Sequence, residues 1–191
     1  MSEDRPTEKA WLAWTEILRR ALSLLKDGQL AEAVSHIDTF LSLEVDPKIR
    51  GDVLGFRAHI QERLGNAEEA KNDLLAARSL TATNYDRYVH ELSLGSLFER
   101  QNLNEEAHSW YRTALNTCLL DNGTSGGTAL KRLLQLCPAT NLPPNDIALC
   151  GRVIEHSWRV LRLTGTPDLS DLKAAASVIM HAQGRRVQRR E

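Results

Sequence analysis

The sequence predicts an all-α fold made of antiparallel helix pairs that repeat along the chain. Two observations predict it. The stretches GQLAEAV, GNAEEAK and NLNEEAH begin at Gly28, Gly65 and Asn102, a constant spacing of 37 residues. Small and apolar residues recur in the same register on both sides of each stretch. Each unit reads as helix, tight turn, helix, and an internal period of this length is the signature of a repeat architecture.

The first helix spans Trp11 to Lys26. Trp11, Leu12, Trp14, Ile17, Leu18, Leu22, Leu24 and Leu25 place apolar side chains almost all round it. A helix apolar on more than one face is expected to be buried on more than one side, beyond its own hairpin mate. Gly28 then stops the pattern, as Gly65 and Asn102 do in the next two units. A helix commonly ends through a left-handed residue, which glycine adopts without a Cβ penalty and asparagine tolerates next best. Glu32, Glu69 and Glu106 follow in the first turn of each second helix, where the macrodipole favours negative charge.

Within the pairs, Ala21, Ala58 and Gly95 form one column on the first helices. Ala33, Ala70 and Ala107 form another on the second helices. Small residues on both let the helices approach closely. Ile37, Leu74 and Tyr111 fill the seam beyond that contact, followed by Phe40, Ala77 and Ala114.

This register resembles the tetratricopeptide repeat family from about Ala10 to Thr117. The family pattern sets a small residue in the first helix, glycine at the turn, then alanine, a large hydrophobe and alanine in the second helix. The resemblance implies a right-handed solenoid of antiparallel helix pairs with additional C-terminal helices. Departures are specific. Arg20 and Arg57 stand where the family favours leucine, Leu94 conforms, and Phe40 replaces the usual alanine. The closing proline is missing or shifted, with Pro47 a substitute in the first unit. The family's usual period is about 34 residues, so the longer unit implies longer helices or links, more like repeat domains of bacterial signalling proteins than chaperone cofactors.

Beyond Thr117 the pattern loosens. DNGTSGG (Asp121 to Gly127) is a loop by composition. A short helix over Thr128–Leu136 stops near Pro138, and a longer one runs from about Asp146 to Leu163. Gly165, Thr166 and Pro167 stop one helix and start the next, which runs from Asp168 to about Ala182. Leu169, Leu172, Ala175, Val178 and Ile179 give that helix one apolar face. A solenoid needs its last apolar face covered, and these helices are the expected cap. The predicted organisation is one helical repeat domain over 1–183, with repeats at 7–45, 48–82 and 84–119. A degenerate repeat and capping helices follow at 127–183, then a basic flexible tail at 184–191.

The chemistry excludes several function classes. Formal net charge is −1, which gives no bulk electrostatic case for nucleic acid. The tail arginines Arg185, Arg186, Arg189 and Arg190 make only a short arm. No apolar run approaches the ~20 residues of a membrane span, and MSEDRPTEK is no secretory signal. Cys118, Cys137 and Cys150 form no CxxC pair, which suits reduced thiols and a cytoplasmic protein. GTSGG lacks the lysine and serine or threonine of a phosphate loop. The six histidines form no HxxxH and no catalytic setting. The expectation is no enzyme, no cofactor and no metal.

What remains is the face of the first helices, which the resemblance places on the inner curve. In register it carries Leu18, Leu22 and Leu25, then Asp52, His59, Glu62 and Arg63, then Val89, Leu92, Ser96, Glu99 and Arg100. The candidate partner-binding residues are Leu18, Leu22, His59, Glu62, Arg63, Ser96, Glu99 and Arg100. Lys26, Arg63 and Arg100 make a basic column, which either contacts a peptide or complements helix dipoles. The lysine and asparagine clamp of the family's heat-shock chaperone binders is replaced by Leu18, Leu22 and His59, which argues against that subclass. The expected function is a scaffold that binds a peptide or helix of a partner protein. The alternatives are a sensor domain responding to a small ligand or signalling peptide, and a cargo holder like a secretion chaperone. A homodimer through the first or last helices is also open.

Overall fold

In the computed structural model, residues 8–43, 45–121, 126–137, 141–164 and 175–180 are described. They are helices and short connections, with no strand among them. The helices fall into two compact units that divide between Ala82 and Thr83.

The first unit holds α1 (Glu8–Lys26), α2 (Leu30–Leu41), α3 (Pro47–Arg63) and α4 (Ala67–Leu80). The expected turns are present. Gly28 and Gly65 have φ of 77° and 84°. At Gly28 the backbone N–H of Gln29 donates to Leu24 and that of Gly28 to Leu25, at 2.8 and 3.3 Å. At Gly65 the matching pair is Asn66 to Gln61 and Gly65 to Glu62, at 2.9 and 3.0 Å. This double bond satisfies the last carbonyls of the helix, and it requires the left-handed residue. Pro47 opens α3 at its first position, after Asp46, whose side chain accepts from the Lys48 N–H at 2.9 Å. It starts the second pair rather than closing the first.

The core of this unit joins Trp14, Ala21 and Leu24 of α1 to Ala33, Ile37 and Phe40 of α2 and Ile49, Val53 and Ile60 of α3. The large Phe40 is accommodated by aromatic neighbours. Its ring centroid lies 6.0 Å from Trp14, which meets Phe56 edge-on at 6.2 Å. In the next unit of the repeat the same two positions are Gly51 and Ala77. A Cβ on Gly51 would lie 3.4 Å from Leu80 Cβ and 3.5 Å from the Ala77 carbonyl. The small residues at these two positions let α3 and α4 meet at ordinary van der Waals distance there.

Helix α1 packs against α2 and, through Trp14 and Phe56, against α3, beyond its own hairpin mate as expected. Its apolar residues are not covered all round, however: Trp14, Ala21 and Leu24 are buried, but Leu12 is 65% and Leu22 43% exposed.

The second unit holds α5 (Asn84–Arg100), α6 (Asn104–Cys118), α7 (Gly127–Leu136) and α8 (Pro144–Thr164), with helical residues at 175–180. Thr83 caps α5, accepting from the Asp86 N–H at 3.0 Å while its hydroxyl donates to the Asp86 carboxylate at 2.7 Å. Asn102 takes φ of 60°, the one non-glycine residue with positive φ among those described. It makes the same turn as the glycines, with Leu103 donating to Phe98 and Asn102 to Glu99, both at 3.0 Å.

The core here runs from Tyr88, Tyr111 and Leu115 through Leu130, Leu133 and Val153 to Ala175 and Ile179. Ala175 and Ile179 pack the helical residues 175–180 into the core of this unit; Val178 is exposed, and Leu169 and Leu172 lie outside the described residues. Gly126 corrects the reading of GTSGG as a plain loop. It is buried at φ of 66°, and an added Cβ would lie 2.6 Å from Cys118 Sγ and 3.0 Å from Val153 Cγ1. This glycine is a packing requirement at the start of α7.

Candidate interaction surfaces

The two small-residue columns, the seam column and the column of Phe40, Ala77 and Ala114 are all buried, and the expected partner-binding residues lie on the first helix of each pair. In the first unit these are Leu18 and Leu22 on α1, and His59, Glu62 and Arg63 on α3. Leu18 is half-buried against the core, while Leu22 and His59, which share one column, are exposed. Lys26 and Arg63 share the next column, at the last turn of their helices, and both are exposed. Among the described residues, Lys26, His59 and Arg63 make no hydrogen bond or ion pair.

Arg57 explains the departure from leucine at its position. It sits on α3 between two second helices. Its Nε and Nη2 donate to the two carboxylate oxygens of Asp73 on α4 at 2.8 and 2.6 Å, and its Nη1 donates to Asp38 on α2. Asp73 is buried, only 6% exposed, and so requires such a partner. The hydrogen bonds to Asp73, and then to Asp38, hold the guanidinium in its charged form against the opposing effect of burial. This arrangement is a structural staple of α2, α3 and α4. Arg20, one repeat earlier, is exposed and makes no such clamp.

In the second unit the candidates are Ser96, Glu99 and Arg100 on α5. Arg100 is exposed at the end of the helix, but Ser96 and Glu99 are drawn into an internal network. Tyr111 on α6 has a fully buried side chain, and its hydroxyl meets Glu99 and Ser96 of α5. It donates to Glu99 Oε2 at 2.5 Å and lies 3.3 Å from Ser96 Oγ. Burial, and then the bond to Glu99, push the Tyr111 hydroxyl up to about 12, so it stays protonated as a donor. Arg132 on α7 donates from Nη1 to the other oxygen, Glu99 Oε1, at 3.3 Å. The sequence register reaches Glu99 but not Tyr111 as its support or Arg132 as its counter-ion. Tyr111 reads as a seam residue, and Arg132 lies outside the repeat.

A second polar cluster lies between α6 and α8. Asp146, in the first turn of α8 and buried, lies 2.9 Å from Arg112 Nε and 3.6 Å from His108 Nε2. Charge at this helix end is favoured by the dipole as well as by the arginine. The two thiols nearby are inert: burial pushes Cys118 and Cys150 up to about 12. No group of three or more histidine, cysteine or acidic residues could hold a metal ion among the described residues.

No protein-family model matches the chain, and no curated protein does. Solved structures do. An assembly chaperone of RpL4 (Acl4, residues 1–338) superposes with a TM-score of 0.58 at 15% identity, over 90% of this chain and 70% of that one. BtubC (BKLC) from P. vanneervenii superposes with a TM-score of 0.54, also at 15% identity, over 97% of this chain and 92% of that one. At such identity the likeness is one of fold. It is an all-α, helical-repeat-like fold. No described helix is long and apolar enough to cross a membrane.

Proposed function

We propose that this chain is a non-enzymatic, tetratricopeptide-like scaffold that binds a peptide or helix of a partner protein along its first helices. The observation that carries the reading is the surface of α1 and α3. Leu22 stays 43% exposed there, beside columns in which Lys26, His59 and Arg63 have no partner of their own among the described residues. An exposed apolar side chain flanked by exposed Lys26 and Arg63 suits an amphipathic or terminally charged segment. A similar fold in an assembly chaperone of RpL4 is in keeping with a role that serves another protein, including the cargo-holding variant. Glu62 of α3 belongs to the same proposed surface, and Ser96, Glu99 and Arg100 of α5 make a separate candidate contact on the second unit. The three cysteines are unbridged, in keeping with a reducing compartment such as the cytoplasm.

The test uses the full chain as bait in an extract of its source cells, followed by titration of the captured partner. Leu22→Ser with Arg63→Glu is expected to weaken affinity at least tenfold, about 1.4 kcal/mol, while leaving the helical spectrum intact. Unchanged affinity in the folded variant would move the site off the first helices.

A further inference from the structure

The Glu99 carboxylate is held differently from that of Asp73, the buried acid that Arg57 grips. Its Oε2 is fixed by the Tyr111 hydroxyl at 2.5 Å, with Ser96 3.3 Å from the same hydroxyl. Tyr111 cannot swing away easily, because its ring is fully buried and lies against Gly95, where not even a Cβ would fit. The Tyr111 bond thus orients the carboxylate independently of any cation, and leaves Oε1 for the Arg132 contact, with the Glu99 side chain 25% exposed. Only the third repeat has this arrangement. The Glu99 column is Leu25 and Glu62 in the earlier repeats, and the Tyr111 column is Ile37 and Leu74.

The cation on Oε1 is, by contrast, loosely held. Arg132 offers one nitrogen at 3.3 Å, with its side chain 46% exposed. The chain's structural arginine, Arg57, grips Asp73 with two nitrogens at 2.8 and 2.6 Å and is half as exposed, at 23%. A guanidinium that recognises a carboxylate strongly does so through two parallel bonds. Arg132 leaves that geometry unmade.

From this difference we infer that Glu99, oriented by Tyr111 and Ser96, is a receptor for a guanidinium side chain of a partner protein, and that Arg132 of α7 is its built-in competitor. The inference rests on the scaffold reading above and names one feature of the partner: an arginine that docks on α5. In the free protein Arg132 shields the carboxylate. An incoming arginine able to make the two-bond contact displaces it, so partners without a well-placed arginine are excluded.

The test uses N-acetylarginine amide as the probe and N-acetylcitrulline amide as its neutral counterpart, followed through the Tyr111 ring signals by NMR. In Arg132→Gln the ring signals are expected to shift with the arginine probe and not with citrulline. The wild type should need several-fold more probe for the same shift, and Glu99→Gln should respond to neither. A folded Arg132→Gln variant that ignores the arginine probe, or answers both probes alike, overturns the assignment. So does a loss of the ring environment on Arg132→Gln alone, which would make the arginine structural. Tyr111→Phe, which keeps the buried ring, should weaken the arginine response; an undiminished response would also overturn it. None of these readouts involves Leu22 or Arg63, so this site and the proposed surface on α1 and α3 can fail separately.

Discussion

Gly95 on α5 lies directly under the ring of Tyr111 on α6: a Cβ at Gly95 would sit 2.5 Å from Cε1 and 2.6 Å from Cδ1. Two columns of the repeat meet at this point. In the second repeat they hold Ala58 and Leu74, and in the first Ala21 and Ile37. The third repeat trades a methyl group on one helix for an aromatic ring on the other. The glycine is needed because the ring is there, and the ring is there to present its hydroxyl to Glu99.

Gly95→Ala should therefore destabilise the protein by about 1–3 kcal/mol through overpacking, although alanine is the better helix former by about 1 kcal/mol. In a Tyr111→Leu background, which recreates the pairing of the second repeat, the same substitution should become neutral or stabilising. Urea unfolding of the four proteins of this cycle measures the coupling. Equal effects of Gly95→Ala in both backgrounds would mean that the ring yields without cost.

Gly65 provides the opposite control. Nothing lies within 4 Å of the Cβ that alanine would add, so no clash occurs. Its φ of 84° is the whole difficulty. Gly65→Ala should cost about 1–2 kcal/mol from the left-handed backbone alone. Asn102→Gly, at φ of 60°, should change stability in the opposite direction and by less. Thermal melts of both variants check the pair.

The parts of the fold legible in the sequence are those set by local sterics. A left-handed helix end admits few residues, so Gly28, Gly65 and Asn102 mark the turns without help from the rest of the chain. Small residues where helices touch are nearly as constrained, and all of those columns are buried. Features that depend on partners far along the chain stay hidden. Arg57 reads as a departure from leucine until Asp38 and Asp73 are seen on two other helices. Gly126 reads as loop until Cys118 and Val153 close on it. The exposure of Leu12 and Leu22 on α1 is likewise recorded by no composition. Of the candidate site, the register finds Glu99 but neither the hydroxyl that orients it nor the arginine that covers it.

Arg57→Leu would restore the family's usual residue and should nevertheless destabilise. It leaves the buried Asp73 without its two bonds, while Asp38, half exposed, can turn to water. The expected loss is about 2–3 kcal/mol, at or below the cost of breaking a fully buried pair because Arg57 is partly solvated. Arg57→Leu with Asp73→Leu removes both charges and should recover most of that loss. Urea midpoints decide it, and a single variant as stable as the wild type would show that water replaces the arginine.

The buried thiols make stability depend on pH on the alkaline side. Burial, followed by the charges of Asp121 and Asp146 respectively, pushes Cys118 and Cys150 from 9.0 up to about 12. The folded state thus holds these protons more tightly than the unfolded chain does. Their contribution is fully present below about 9 and is lost as pH rises toward 12, because the unfolded thiols ionise first. Each contributes a slope of about 1.4 kcal/mol per pH unit inside that window. Tyr88 and Tyr111, also pushed up to about 12, steepen it from their ordinary 10.0 onward. Unfolding free energy measured at intervals from pH 8 to 11 should be level at first and then fall, and Cys118→Ala with Cys150→Ala should flatten the earlier part of the decline. The same burial predicts that a thiol reagent at neutral pH modifies the half-buried Cys137 in the native protein, and reaches Cys118 and Cys150 only on unfolding. Rapid modification of all three thiols, together with stability unchanged up to pH 11, would show that water reaches this core and that α6 and α8 do not close over it.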